Sequence, residues 1–278
     1  MHLLTLNDKE FHALQEIMYR ASGVRLLPTK KALMVARLRK RLKDLGIGSF
    51  EEYLELVRKP AGGEVEVFIN AITTTETFFY RHPEQFHFLM KTVFPFCLER
   101  KKNDASPELR VWSAACATGE EPYSLAIACQ EFFKMHPKWN IIIYATDINS
   151  AVLDSAKEAV YTERSVAGLS PYLKGEYFEP LAEEADYKRC RFRLRKEKIP
   201  SVTFLRHNLL NPFPYLGMDI IFLRNVMIYY DKPAKQKVAS LVEKNLVPGG
   251  YLLISMTETL QDIRTGLRYV QSGIYQKG

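Results

Sequence analysis

Two adjacent carboxylates, Glu120 and Glu121, follow a run of small residues in the stretch VWSAACATGEEPY, 111–123. Strand-favouring Val111 and Trp112 precede the run, and a mostly apolar segment from Pro122 to Phe133 follows it. A strand, a tight turn and a helix N-terminus form the opening unit of a nucleotide-binding α/β sheet. Small side chains at Ala114, Ala115, Cys116 and Ala117 let a ligand come close to the backbone. No G-x-G-x-x-G is present, and a pyrophosphate here would meet negative charge. A cation would be favoured. S-adenosylmethionine carries a sulfonium and an ammonium and no phosphate. The alternative is that both glutamates only complement the helix dipole. This stretch alone leaves the two readings open.

Other strand ends carry polar groups of the same kind. The run NIIIYAT, 140–146, reads as a second strand and ends at Asp147. An acidic residue there is placed to bind ribose hydroxyls, although a lone Asp also serves as a helix N-cap. A third strand over Val202 to Arg206 is followed by Asn208. A fourth, Asp219 to Leu223, is followed by Arg224, Asn225 and Tyr229. Ligands of open α/β sheets bind beyond the carboxyl ends of the strands. Glu120, Glu121, Asp147, Asn208, Arg224, Asn225 and Tyr229 are therefore expected along one crevice. The segment TTTETFFYR, 73–81, is neither a good helix nor an alternating strand. Its hydroxyls and arginine suit a pocket lining, and its aromatics suit a plug between domains.

The elements that hold these groups are legible along the chain. Asn7 with Glu10 signals a helix N-terminus, and Gly23 follows its end. Pro28 suits the first turn of a second helix, closed by Gly46. On that helix Met34, Leu38, Leu42 and Leu45 form one stripe, and Lys30, Arg37 and Arg41 another. Ser49 with Glu52 starts a third helix. Pro60, Gly62 and Gly63 break the chain before a fourth, with Val65, Phe68, Ile69 and Ile72 inward. Residues 1–72 are thus expected as a helical domain. Residues 73–108 form a connecting segment with a helix from Pro83 to about Arg100. Residues 109–278 form the α/β domain. Within it KRCRFRLRKEK, 188–198, alternates but is too charged for a central strand. A small antiparallel β subdomain is expected over about 178–200. A helix over Pro233 to Asn245, a fifth strand over Tyr251 to Ser255 and a terminal hairpin complete the pattern.

Composition narrows the class. The 278 residues are 47% hydrophobic, as in a globular chain with a sizeable core. No run approaches the roughly 20 apolar residues of a bilayer span, and MHLLTLNDKEF turns charged too early for a signal peptide. Cys97, Cys116, Cys129 and Cys190 show no C-x-x-C pairing, so reduced thiols in a cytoplasm are expected. No histidine spacing points to a metal. The net charge of +7 is concentrated: from Arg20 to Lys43 there are nine Lys or Arg and no Asp or Glu. Such a run suits an acidic partner, or is a solvated helix face.

With these residues assembled, the chain resembles the CheR family of chemoreceptor glutamate methyltransferases. The resemblance rests on TTTETFFYR, VWSAACATGEEPYSLAI, ATDIN, RHNLL and FLRNVMIYYD, and it runs almost end to end. It implies a class I S-adenosylmethionine-dependent methyltransferase sheet with a small antiparallel β subdomain, preceded by an all-α domain. It implies methylation of glutamates on the helical cytoplasmic bundle of chemotaxis receptors by a cytoplasmic, monomeric enzyme that is not membrane-embedded. By the resemblance, Thr75, Thr77 and Arg81 reach the cofactor, with Arg81 near the methyl group. Glu121, together with Glu120, holds the methionine end, and Asp147 takes the ribose. Ala115 allows close approach, and Asn208, Leu209 and Asn225 surround the adenosine. Arg224 and Tyr229 lie near the transfer site with Arg81. The basic helix, with Lys30, Arg37, Lys40 and Arg41, faces the acidic receptor. Three positions depart from the family's frequent residues: Thr75 replaces Asn, Ala117 replaces Ser and Tyr230 replaces Phe.

Two other readings compete. A nucleic-acid methyltransferase would grip phosphate with the basic helix, and NPFPY, 211–215, resembles the N-P-P-Y of base-amino methylases. That motif follows the fourth strand in those enzymes and precedes it here, and the prolines suit a turn. The reading adopted excludes a nucleic-acid partner. A noncatalytic receptor-binding adaptor would not need candidate residues at every pocket position.

Overall fold

A computed structural model describes residues 5–59, 63–181 and 191–278. Pro60, Gly62, Cys190 and the first part of the charged run 188–198 lie outside the described residues, as does the expected excursion over 182–190.

Four helices open the chain: α1 (Asp8–Ser22), α2 (Lys31–Asp44), α3 (Phe50–Arg58) and α4 (Glu64–Ile72). The Asn7 side chain accepts from the Glu10 backbone while Glu10 reaches back to the Asn7 N–H, a complete capping box. Gly23 ends α1 in the left-handed region, φ 74°. Pro28 does not begin α2 directly. It starts a 3-10 turn, Pro28–Lys30, from which α2 continues. Leu14, Met18, Met34, Leu38, Tyr53, Phe68 and their neighbours form a separate core.

Arg41 belongs to that core's frame and not to an open basic face. Its guanidinium makes a two-pronged pair with Glu64, at 2.9 and 2.5 Å. Glu64 heads α4 and is buried. Arg37 is also turned inward. It donates to the carbonyls of Ile72 and Thr73, at the end of α4 and the start of the connecting segment. Lys40 remains exposed.

The helix expected from Pro83 to about Arg100 comprises α5 (Pro83–Phe88), a π turn (Leu89–Val93) and α6 (Phe94–Arg100). Pro95 supplies no N–H and crowds the carbonyl a turn earlier, so the ladder widens beside it. The main sheet then follows as β1 (Glu108–Ala114), α7 (Glu120–Phe133), β2 (Asn140–Asp147) and α8 (Ser150–Glu158). Next comes the small sheet, built from β3 (Val160–Thr162), β4 (Phe178–Leu181) and β5 (Arg191–Leu194), with α9 (Glu163–Val166) and α10 (Pro171–Tyr177) between its first two strands. Its order is β3-β5-β4, antiparallel throughout. It therefore draws a strand from well before residue 178. Three residues are too few to show alternation in the sequence.

The main sheet resumes with β6 (Val202–Arg206), β7 (Met218–Leu223), α11 (Lys232–Asn245), β8 (Leu246–Ile254) and the hairpin β9 (Leu267–Gln271) and β10 (Ile274–Lys277). β8 starts five residues earlier than Tyr251 because Leu246 pairs with Met218, and the ladder is irregular before Tyr251. The sheet order is β6-β2-β1-β7-β8-β10-β9. The first five run parallel, and β10 and β9 close the edge antiparallel. β1 is central, so the chain moves one way to β2 and the other way to β7. The crevice at that switch point is where such sheets bind ligands. α7 is buried along nearly its whole length, as its apolar sequence requires.

The Arg41–Glu64 pair yields a first prediction. Arg41→Met leaves the Glu64 carboxylate buried without its partner, which costs about 3–5 kcal/mol. Lys40→Met on the exposed face changes stability by less than about 0.5 kcal/mol. Urea unfolding of the two variants beside the parent measures both values, and equal small effects would show that the pair does not hold the helical domain together.

Candidate functional site

A cavity of about 510 Å³ lies beyond the carboxyl ends of β1, β2, β6 and β7. Its floor is the β1–α7 turn. Ala115 and Ala117 both adopt left-handed backbone, φ 64° and 47°, and Gly119 sits at φ 94°. A β-carbon on Gly119 would stand 2.8 Å from Cβ of Ala156 and 3.0 Å from the Tyr161 hydroxyl. The turn thus folds tightly, and its small side chains leave the space above it open.

Glu121 and Glu120 diverge from this turn. The Glu121 carboxylate accepts from Ser113 Oγ at 2.7 Å and from Arg224 Nε at 2.7 Å, and it lines the cavity. Glu120 turns away, and its side chain is not part of the lining. It accepts from Thr118 Oγ1 at 2.6 Å and Ser165 Oγ at 3.2 Å. Burial pushes its carboxyl above the usual range, against those hydroxyls. Neighbours in sequence at a helix start point about 100° apart, so only one can face the crevice.

Arg224 is buried and already engaged. Besides Glu121 it donates to the Arg81 carbonyl at 2.5 Å and to Gln85 Oε1 at 2.9 Å. Gln85, also buried, is fixed in turn by donating to the Ile254 carbonyl at 2.8 Å. The guanidinium lies over the rings of Phe222 and Phe86. Arg224 thus holds Glu121 and the backbone of Arg81 in position while itself lining the cavity.

Asp147 closes the β2 side. Its carboxylate accepts from the backbone N–H of Ala117 and of Asn149, both at 2.9 Å. Burial pushes its carboxyl up, and these N–H groups oppose that. Beside it the His207 N–H donates to the Asp147 carbonyl, and the His207 ring meets Trp112 and Phe213 edge-on. His207 Nε2 is buried without a partner among the described residues, and burial holds this imidazole below its ordinary value. Asn208 donates to the Ala21 carbonyl, and Leu209 lines the wall. Asn225, at φ 58°, donates to Ser255 Oγ, while Glu258 accepts from the N–H groups of Asn225, Ser255 and Ile228. One carboxylate thus fixes the turn that carries Tyr229.

The connecting segment divides its work. Thr75, Thr77 and Arg81 line the cavity. Phe79 is buried and packs edge-on against Tyr161 and Phe178, sealing the segment to the small sheet. Arg81 donates to the Glu76 carbonyl and lies 5.7 Å over the Phe78 ring. The pocket-lining expectation for TTTETFFYR holds for its hydroxyls and arginine, but its aromatics do not plug the seam between the domains: Phe79 and Tyr80 pack into the core of the α/β domain.

The roof was not legible. It is the loop between α1 and α2, with Val24, Arg25, Leu26, Leu27 and Lys30 in the lining. Arg25 donates its N–H to the Tyr229 carbonyl at 2.9 Å, Val24 pairs with Tyr230, and Tyr19 donates to Asp231 at 2.9 Å. The sequence signal was a loop carrying three aliphatic residues, Val24, Leu26 and Leu27, after Gly23. Of the basic residues expected to meet a partner, Lys30 reaches the rim, while Arg37, Lys40 and Arg41 do not line the cavity. NPFPY is not in the lining either. Phe213 stacks on Trp112 and Tyr215 on Tyr144, so the motif covers a sheet face. Among the described residues no cluster of His, Cys, Asp or Glu is arranged to hold a metal, and no helix is long and apolar enough to cross a membrane.

A family model described as the CheR methyltransferase SAM-binding domain matches residues 75–275, and one described as the CheR methyltransferase all-alpha domain matches residues 9–73. The chain belongs to the CheR methyltransferase family. A chemotaxis protein methyltransferase of Borreliella burgdorferi is 33% identical over 279 residues, 99% of this chain and 96% of that one. Chemotaxis protein methyltransferases of Pseudomonas putida and Escherichia coli are 32% and 33% identical, over 98% and 94% of this chain and 99% and 87% of theirs. This CheR-family protein therefore uses S-adenosylmethionine to methylate in chemotaxis, with a class I methyltransferase sheet behind an all-α domain. The residues present fit that molecule: a tight turn of small residues, the Glu121 carboxylate on the lining, the Asp147 carboxylate at the β2 tip, and no G-x-G-x-x-G loop for a phosphate.

The Glu121–Arg224 pair generates a second prediction. Arg224→Met strands a buried carboxylate and costs about 3–5 kcal/mol of stability. Adding Glu121→Gln removes the stranded charge and restores part of that loss. Urea midpoints of the single and double variants give the coupling directly, and strict additivity would contradict it.

Proposed function

We propose that the protein methylates glutamate side chains on the acidic helical cytoplasmic bundle of chemotaxis receptors, giving glutamyl methyl esters. The observation that carries this reading is that Arg81 and Tyr229 stand on the same lining as Glu121 and Asp147. The Tyr229 hydroxyl has no hydrogen-bond partner among the described residues, and Arg81 gives its side chain only to a neighbouring carbonyl. Both are donors, which suits an anionic acceptor.

A glutamate carboxylate, pKa about 4.3, is already ionised at neutral pH and needs no base. The lining offers none in working order: His207 is its one imidazole, packed among aromatic rings with no carboxylate partner. When bound, S-adenosylmethionine supplies a methyl group bonded to a sulfonium, and the acceptor oxygen takes that carbon as the electron pair returns to sulfur. The protein's part is to align and desolvate. Such positioning contributes on the order of 7–11 kcal/mol. Arg81 orients the carboxylate, Tyr229 holds its spare oxygen, Glu121 faces the ammonium and Asp147 accepts from the ribose hydroxyls. Thr75, Thr77, Ala115, Asn208, Leu209 and Asn225 complete the wall. Lys30 at the rim and exposed Lys40, with Arg39 and Lys43, face the acidic bundle. Arg37 braces the connecting segment from behind.

Transfer of labelled methyl from S-adenosylmethionine to purified receptor cytoplasmic fragments tests the reading. Base-labile label on receptor glutamates is the expected product. Tyr229→Phe lowers single-turnover transfer by at most about 100-fold, the cost of one oriented donor, while calorimetric cofactor affinity stays near that of the parent. Base-stable label, or transfer to nucleic acid in preference, would overturn it.

Asp147 supplies a pH test of the cofactor geometry. Ribose hydroxyls donate more strongly to its ionised form, in which both oxygens accept, than to the protonated one, and burial raises its folded pKa above the ordinary value of about 3.9. Affinity is therefore full above the raised value and falls as pH drops through it. Asp147→Asn removes this acid-side fall and weakens binding roughly 10- to 100-fold at neutral pH. Calorimetry across mildly acidic pH reads both effects, and an unchanged affinity in the folded variant would remove Asp147 from the site.

A further inference from the structure

The rim of the cavity is more apolar than its chemistry requires. Leu27 is 53% exposed, Leu33 37% and Ile228 56%, and all three line the same cavity. Phe78, 43% exposed, follows the lining residue Thr77. Scattered exposed aliphatic residues are ordinary, but a contiguous group around a functional opening marks a binding surface.

The fold holds this rim in place. Leu27 precedes the 3-10 turn before α2, Leu33 lies in the first turn of α2, and Ile228 lies in the short turn Met227–Tyr229. The hydrogen bond from Arg25 N–H to the Tyr229 carbonyl and the Val24–Tyr230 pairing tie the two sides together. Glu258 fixes the Ile228 backbone independently. None of these contacts uses the Leu27, Leu33 or Ile228 side chains.

Charge on the rim is one-sided. Glu76 is paired with Arg164 at 2.6 Å, and Asp231 accepts from Tyr19 and caps α11. Arg25 and Lys30 have no ion-pair partner among the described residues and are exposed. The surface is thus aliphatic and cationic. It fits a partner that is aliphatic and acidic around the group entering the cavity. On a helix, residues three and four positions from an entering side chain lie on its face.

We propose that Leu27, Leu33 and Ile228 form an apolar collar that seats aliphatic side chains lying one helical turn from the acceptor glutamate, while Arg25 and Lys30 meet its acidic neighbours. This rests on the acceptor being a glutamate on a protein helix. The collar then sets which glutamates of an acidic helix are methylated, because a glutamate with only charged neighbours leaves the aliphatic surface wet.

The test uses the full-length protein and a receptor cytoplasmic fragment that the parent methylates; if the parent transfers no methyl to it, the acceptor assignment above has failed before the collar is examined. Leu27→Ser and Ile228→Ser each raise KM for the fragment about tenfold, a larger change than either makes in kcat at saturation or in calorimetric cofactor affinity. Met135→Ser, at an exposed residue outside the cavity, changes neither. Replacing the fragment's aliphatic residues one turn from the acceptor with serine raises KM similarly for the parent and adds little for Ile228→Ser, the signature of a direct contact. An unchanged KM in both collar variants, or fully additive effects in the cycle, would overturn the proposal.

Discussion

The buried pair between Arg224 and Glu121 is the constraint around which the site is assembled. Two charges withdrawn from water are stable only when their remaining hydrogen-bonding capacity is met. Here it is met by Ser113 on β1, Gln85 on α5 and the Arg81 carbonyl in the connecting segment. The pair therefore does more than neutralise itself. It fixes the rotamer of the carboxylate that faces the cavity, and it fastens the backbone that carries Arg81. The fastening occurs where that backbone is least relaxed, between Tyr80 and His82, both at positive φ. Such residues persist only where surrounding contacts over-determine them. The guanidinium bond to the intervening carbonyl is one such contact, and the Tyr80 N–H donating to Ser124 Oγ is another.

A second tie makes one cavity out of two domains. The methyltransferase sheet alone would leave its crevice open to water. The α1–α2 loop covers it by pairing with the turn after β7, and Asn208 reaches from the far side to the Ala21 carbonyl. Gly23 permits this approach, since a β-carbon there would stand 2.7 Å from Leu210. The connecting segment is held from the helical side by Arg37 and from the sheet by Asn149, which donates to Thr73 Oγ1 and the Asn70 carbonyl. Excluding water matters for methyl transfer because hydration blunts an acceptor nucleophile.

Much of this arrangement was legible because it is written in local rules. The capping box at Asn7, the strand–small-turn–helix unit at 111–123 and the polar residues at strand ends each follow from short-range physics. The parallel topology then gathers the strand ends without further information. What escaped was decided by direction and distance. Glu120 and Glu121 are equivalent in sequence, and only the helix phase sends one inward. Val160–Thr162 is too short to alternate, and it becomes a strand because β5 offers it a ladder. The roof at Val24–Lys30 depends on how two domains dock, which no periodicity encodes. The position of Arg224 beyond β7 was readable, and its burial against Glu121 was not.

The basic run from Arg20 to Lys43 shows how such a signal resolves once partners are visible. A charge count treats its nine cations as one surface. The structure separates them by what each can reach. Arg20 pairs with Glu16 and Lys31 with Asp8 on the exposed surface, contributing little to stability. Arg41 is spent on a buried carboxylate and Arg37 on backbone carbonyls, so neither offers its charge outward. Arg25, Lys30, Arg39, Lys40 and Lys43 remain for a partner, and two of these stand at the cavity rim. An acidic surface drawn to this face would therefore be drawn to the opening itself. Long-range charge raises the encounter rate but selects poorly among acidic surfaces. Selection has to come from short-range fit, and the aliphatic side chains between those cations are the groups placed to supply it.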